Sequence, residues 1–248
     1  MSKNTFYVSC PIDTYSGYGA RSRDFVKALI ELNEYDVRIL PQRWGMTPFG
    51  FIEDHIEEWG FLKQHIVPQL MEQPDIWCQI TVPNEFQPVG KYNIGLTAGI
   101  ETTVCAPQWI EGCNRMNLVL TSSKHAKTVF ETTNYQINNK QTNQTQGELK
   151  LSKPIEVLIE GANLEIYKPL DVKEFTSKNL VKDLDSIKES FAYLFVGHWM
   201  QGDLGEDRKN VGLLVKAFYE IFKNKSKIPA LIDRKSTRLN SSHITISY

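Results

Sequence analysis

Apolar positions follow two rhythms along this chain. TFYVSC (Thr5–Cys10) is a short, nearly continuous apolar run of the kind a buried strand shows. From Ala20 onward Phe25, Val26, Leu29, Ile30 and Leu32 recur at helical spacing. YDVRIL predicts the next strand, and FIEDHIEEWGFLKQHIVPQLMEQ a helical stretch interrupted at Pro68. DIWCQITV, YNIGLTAGI and NLVLTSS predict further strands, with PQWIEGCNRM between the last two and a helix over KHAKTVFETT after them. Strands alternating with helices predict an α/β fold, a Rossmann-like doubly wound parallel sheet. Residues 134–153 are polar, rich in Asn and Gln and without periodicity, and read as a surface loop or insertion. The strand IEVLIEG then closes a first domain, 1–170. A charged linker with some helical character, 171–190, leads to a second domain that opens with a strand at Phe191.

Composition leaves this picture intact. The chain has 248 residues, 41% hydrophobic and 23% charged, with a formal net charge of −1. Those values describe an ordinary soluble globular protein and give no bulk charge for nucleic acid or a membrane surface. No apolar run approaches the roughly 18 residues that span a bilayer. No signal-peptide core precedes TFYVSC, so a cytoplasmic location is expected. Cys10, Cys78, Cys105 and Cys113 are scattered without metal-site spacing and read as small buried hydrophobes in a reducing compartment; no metal is expected.

Candidate chemistry sits at the ends of strands. In SGYGARSRDF, Gly17 and Gly19 would let the backbone turn tightly and let a ligand approach, and the following helix offers N–H groups and a positive dipole end to an anion. The same glycines also suit a tight strand–helix turn with no ligand, and Arg21 and Arg23 read equally as solvated or ligand-bound. TAGIETTVCAPQW follows the carboxyl end of a strand, where open α/β sheets bind ligands. There Glu101 could accept from a sugar hydroxyl or act as a base, or could cap the next helical turn. Trp109 reads as packing, with a sugar-stacking platform as the alternative. VLIEGANLEIYKPL predicts a strand ending at a glycine, then a turn at Asn163 before Tyr167 and Pro169. Arg208-Lys209 precede an amphipathic helix built on Val211, Leu214, Val215, Phe218 and Phe222. Cations there oppose the helix dipole. A bound diphosphate would resolve that conflict, and so would Glu206 and Asp207 as first-turn acids.

In order and spacing these segments resemble the GT-B glycosyltransferases, particularly the large retaining group known as family 4. SGYGARSRDFVKAL is similar to that family's glycine-rich first loop and helix. NLVLTSSKHAKTVF is similar to its strand ending in a serine pair, VLIEGANLEIYKPL to the segment before the crossing into the second domain, and YLFVGHWMQGDLGEDRKNVGLLVKAF to the start of the donor-binding domain. The resemblance runs from about residue 5 to 230. It implies two Rossmann-like domains facing a cleft, the first holding a glycan, lipid or protein acceptor and the second a nucleotide-diphosphate sugar. By that resemblance Arg208 and Lys209 contact the donor diphosphate, Gly17 and Gly19 lie beneath it, and Asn163 and His198 line the cleft. Asn163 stands where the family usually has Asp, and Gly197-His198 where many members have Gly-Arg. The donor is a co-substrate, and neither cofactor nor metal is implied, since basic side chains and helix ends neutralise the leaving diphosphate. Nucleic acid is not an expected partner. Peripheral membrane association of the full-length protein is compatible with the resemblance.

The stretch DRKSTRLNSSHITISY (233–248) lacks a periodicity that continues the fold and resembles the in-frame translation of a sequencing-library adapter. The expectation is therefore a first domain joined to the opening β-α unit of a truncated donor domain, 191–232, without transferase activity on its own. In the full gene the family's pair of glutamates, seven residues apart, would lie further downstream. Two rivals stand beside this reading. One is a non-catalytic α/β binding or scaffold module of the same fold. The other is a dinucleotide oxidoreductase, disfavoured because the first loop lacks the full glycine fingerprint and YDVRILPQR carries no acid in the usual place.

Overall fold

The first apolar run forms an inner strand of a six-stranded parallel sheet. The structure, a computed structural model, describes residues 3–138, 144–169, 178–197, 203–207, 209–235 and 244–247. It divides into two units, Met1–Ala162 and Asn163–Tyr248. In the first, β1 (Thr5–Cys10) is followed by α1 (Gly17–Leu32) and β2 (Asp36–Pro41), then the one-turn helices α2 (Phe51–Asp54) and α3 (Ile56–Trp59) and a 3-10 turn, Gly60–His65. Next come β3 (Ile76–Ile80), β4 (Tyr92–Thr97), α4 (Pro107–Asn114), β5 (Leu118–Thr121), α5 (Lys124–Thr132), the strands β6 (Asn134–Asn138) and β7 (Thr145–Lys150), and β8 (Ile155–Val157). The sheet order is β2-β1-β3-β4-β5-β8, every ladder parallel.

One bridge refines that order. Ile66 pairs in parallel with Ile39 on the outer side of β2, with Val67 N–H donating to Ile39 O at 2.9 Å and His65 Nδ1 donating to Val37 O at 2.9 Å. The expected long helix therefore stops at His65, before Pro68, and the chain turns extended to touch the sheet. Counting this one-residue strand, the order becomes 3-2-1-4-5-6-7, whose first six places match the standard order of the Rossmann fold.

The period of two along β1 supplies both faces of the sheet with core. Phe6, Val8 and Cys10 pack with Val26 and Leu29 of α1, while Tyr7 joins Trp77, Ile110, Val129 and Phe130 beneath α4 and α5. Each fully buried aliphatic such as Val8 or Ile39 contributes about 1.5–3 kcal/mol by leaving water. α1 starts at Ser16, whose hydroxyl accepts the Gly19 amide at 2.9 Å, and stops at Asn33, left-handed at φ 54°.

Two segments differ from expectation. The polar insertion is not a loop: β6 and β7 form an antiparallel hairpin. It docks through the Tyr135 hydroxyl on Cys105 O (2.6 Å) and through Asn114, which donates to Lys150 O and accepts the Ser152 amide. The last strand of the sheet is shorter than IEVLIEG. Leu158 N–H still donates to Thr121 O at 2.8 Å, but β5 ends there, so Ile159 has no neighbouring strand to extend along.

The second unit holds α6 (Lys178–Asp185), β9 (Ala192–Gly197), α7 (Val211–Phe222), β10 (Ala230–Lys235) and β11 (Ile244–Ser247). β9 and β10 are parallel, so β9-α7-β10 is a right-sized crossover unit, its helix seated by Tyr193 against Phe218 and Phe222. The described residues of 233–248 contribute structure: β10 runs on to Lys235, and the Ile-Thr-Ile-Ser of β11 lies antiparallel on β10. Among the described residues no helix is long and apolar enough to cross a membrane.

Candidate functional site

The chain leaves β1 toward β2 and returns across it to β3, so the topological switch lies at the carboxyl ends of β1 and β3. The loop after β1 is clamped rather than loose. Arg23, buried, donates to the carbonyls of Ile12 (2.8 Å) and Thr14 (3.0 Å), with its guanidinium 3.4 Å from the centre of the Phe51 ring. Asp13 accepts the amides of Gly50 (3.1 Å) and Ile52 (2.7 Å). Arg23 is thus a structural clamp, neither solvated nor available to a ligand.

The two glycines divide in role. Neither adopts positive φ, so neither makes a turn closed to other residues. A Cβ on Gly19 would stand 2.4 Å from Thr14 O, so its glycine is required by the loop folding back on α1. Gly17 is exposed with nothing within 4 Å of its Cβ position, leaving it open to a ligand.

Tyr18, between them, organises the edge. Its hydroxyl lies 3.0 Å from Thr97 Oγ1 and accepts the Ala98 amide at 3.1 Å, and its ring stacks on Trp44 at 4.0 Å between centroids. Burial pushes its phenol up, opposed by Thr97 and Ala98 and reinforced by the carboxylates of Glu101 and Glu160. One turn on, Arg21 donates to Leu158 O (2.5 Å) and Ile159 O (3.3 Å). Tyr18 and Arg21, three apart on α1, therefore reach the ends of β4 and β8 respectively. β5 lies between those strands, and its terminal Thr121 is the register partner of Thr97.

Glu101 is exposed in the loop after β4, and α4 begins only at Pro107 with no side-chain cap, so Glu101 is not a helix cap. Trp109 stacks on Phe130 in the core and is packing. The four cysteines are free and buried. Burial pushes the Cys10 and Cys113 thiols up to about 12 and raises Cys78 and Cys105 as well. Among the described residues no group of His, Cys, Asp or Glu could hold a metal ion.

In the second unit Asn163 is exposed and makes a local turn, its side chain accepting the Glu165 amide at 3.0 Å and its carbonyl the Tyr167 amide at 2.8 Å. Lys209 is exposed. Asp207, buried, accepts the amides of Lys209 (3.0 Å) and Val211 (3.3 Å) at the start of α7. The acid therefore answers the dipole conflict that a diphosphate was expected to resolve. Arg208 and His198 lie outside the described residues.

Comparison with protein-family models, with curated proteins and with solved structures gives no match to this chain. The site therefore rests on its own geometry, and the sequence reading had missed Tyr18, Trp44, Thr97, Thr121 and Glu160. A signal was present for the threonines: LTAG and LTSS end successive strands in the same way, and the structure sets their Leu-Thr pairs in register.

Proposed function

We propose that this chain carries the acceptor-side domain, and the opening β-α-β unit of the donor domain, of a retaining, metal-independent GT-B glycosyltransferase of the family 4 kind. The observation that supports this most is the gathering of aromatic, hydroxyl and carboxylate side chains from the ends of β1, β2, β4, β5 and β8 on one sheet edge, in a chain that then begins a second parallel unit. Mixed stacking and hydrogen-bonding groups of this kind suit a sugar. In this reading the glycosidic bond of a nucleotide-diphosphate sugar breaks, a bond forms to an acceptor hydroxyl, and the diphosphate leaves. Glu101 contacts the acceptor and takes its proton. Arg208 and Lys209 neutralise the diphosphate. Asn163 and His198 serve acceptor or donor contact, Gly17 offers open backbone, and the enzyme works in the cytoplasm on a glycan, lipid or protein.

Asp207, accepting the Lys209 and Val211 amides at the start of α7, favours a second reading, a binding or scaffold module of the same fold that does no transfer. Sequencing the source locus through the codon for Ile232 separates the two. A frame continuing for a further domain of roughly 100–150 residues with two glutamates seven apart supports the transferase. A stop within a few codons supports the module.

A further inference from the structure

We infer that the open edge of β9 pairs antiparallel with β9 of a second copy of this chain, about a two-fold axis at Leu194, so that the sheets of the two second units become one. The inference concerns the 248-residue chain and stands apart from both readings of its function.

The strand is an edge without protection. Among the described residues β9 pairs on one side only, in the order β11-β10-β9. Other edges in the protein are blunted. β2 carries Asp36, Arg38 and Pro41 and is bridged on its outer side by Ile66, β8 is a three-residue strand containing Glu156, and β11 alternates its isoleucines with Thr and Ser. FAYLFVG, by contrast, runs from Phe191 to Gly197 with no charge and no proline. Its free row of backbone groups lies beside an apolar face, on which Leu194 is 67% exposed and Val196 62%.

The backbone selects the partner and its register. Ala230 N–H donates to Phe191 O at 2.9 Å in the parallel β9–β10 ladder, which sets Ala230 beside Ala192. Parallel pairing from that bond turns the amides and carbonyls of Tyr193 and Phe195 toward β10, and those of Ala192, Leu194 and Val196 toward the open edge. An antiparallel copy centred on Leu194 sets Ala192 against Val196 and Leu194 against itself, so each of those free groups meets its counterpart in a hydrogen-bonded pair. The side chains agree with that register. Tyr193 of one copy stands against Phe195 of the other on the face that α7 covers, an aromatic cross-strand pair. On the open face Leu194 meets Leu194 and Ala192 meets Val196, all aliphatic. The strand therefore reads nearly alike in both directions about Leu194, as a two-fold interface requires, and it offers no charge by which a foreign strand would be preferred.

The test is sedimentation velocity of the 248-residue chain across a dilution series, with Leu194→Lys and Leu194→Glu as variants. Leu194 is exposed, so each variant should keep the circular dichroism of the wild type. The wild type is expected to form a dimer and nothing larger, because an isologous contact closes on itself. Either variant sets like charges against each other at the axis and should raise the dissociation constant by about tenfold or more. An equimolar mixture of the two should restore dimers of mixed composition, since Lys then meets Glu. A chain that stays monomeric overturns the inference, as do dimers that neither variant weakens, assembly beyond two copies, or a mixture no more associated than the variants alone.

Discussion

Tyr18 and Thr97 meet at the carboxyl edge of the sheet, their hydroxyl oxygens 3.0 Å apart, and so join the first turn of α1 to the end of β4. The phenol is raised above its ordinary value of 10.0, mainly by burial. A group raised on folding adds stability that is whole below its unfolded value and is lost as pH rises through the folded one. Tyr18→Phe removes the bonds to Thr97 Oγ1 and from the Ala98 amide and should cost about 1–3 kcal/mol near neutral pH, and the deficit should narrow above pH 10. Urea unfolding of both proteins across that range checks it; a deficit that widens with pH would contradict it.

Gly17 and Gly19 should separate cleanly. Gly19→Ala brings a methyl against the Thr14 carbonyl and should lower stability by about 2 kcal/mol or more. Gly17→Ala meets nothing and should change stability by less than about 0.5 kcal/mol or raise it slightly. Thermal unfolding of the two variants decides.

Asp207→Ala removes the acceptor of two amides at the start of α7. A loss of about 1 kcal/mol from the second unit is expected. If Lys209 stands at a diphosphate site, the same variant should bind UDP more tightly than wild type, because a competing carboxylate has gone. Calorimetry showing unchanged or weaker UDP binding would count against a diphosphate at this helix.

The thiols should be silent in the folded protein. With all four buried and their ionisation pushed up, a disulfide reagent at neutral pH should react only after denaturation. Rapid labelling of the native chain would show that the core around Cys10 and Cys113 opens.

What was readable in the sequence follows the strength of its periodicity. β1, β2 and α5 match their expected segments to within a residue or so: β1 is buried on both faces and leaves a continuous apolar run, β2 alternates at period two, and α5 buries Ala126, Val129 and Phe130 at helical spacing. The hairpin was missed because its signal is weak: Tyr135, Gly147 and Leu149 alternate with exposed polar residues and are only half-buried. The short stop of β8 depends on where β5 ends, a fact about a neighbour and not about IEVLIEG itself. The site was half legible. SGYG marks the right loop, but no local pattern singles out Tyr18, and nothing in the sequence marks Arg23 as buried. Thr97 and Thr121 are set side by side, and Arg21 meets Leu158 and Ile159, only through strand order, which no local pattern encodes.

The most direct measurement is an assay for nucleoside diphosphate released from UDP-, GDP- and ADP-sugars in the presence of a saccharide acceptor. It compares the product of the complete reading frame at the source locus with the 248-residue chain. The account predicts acceptor-dependent release by the complete product, abolished or cut at least tenfold by Lys209→Ala, and none by the 248-residue chain. Turnover by the shorter chain, or a complete product that binds saccharides yet releases nothing from any donor, would contradict it.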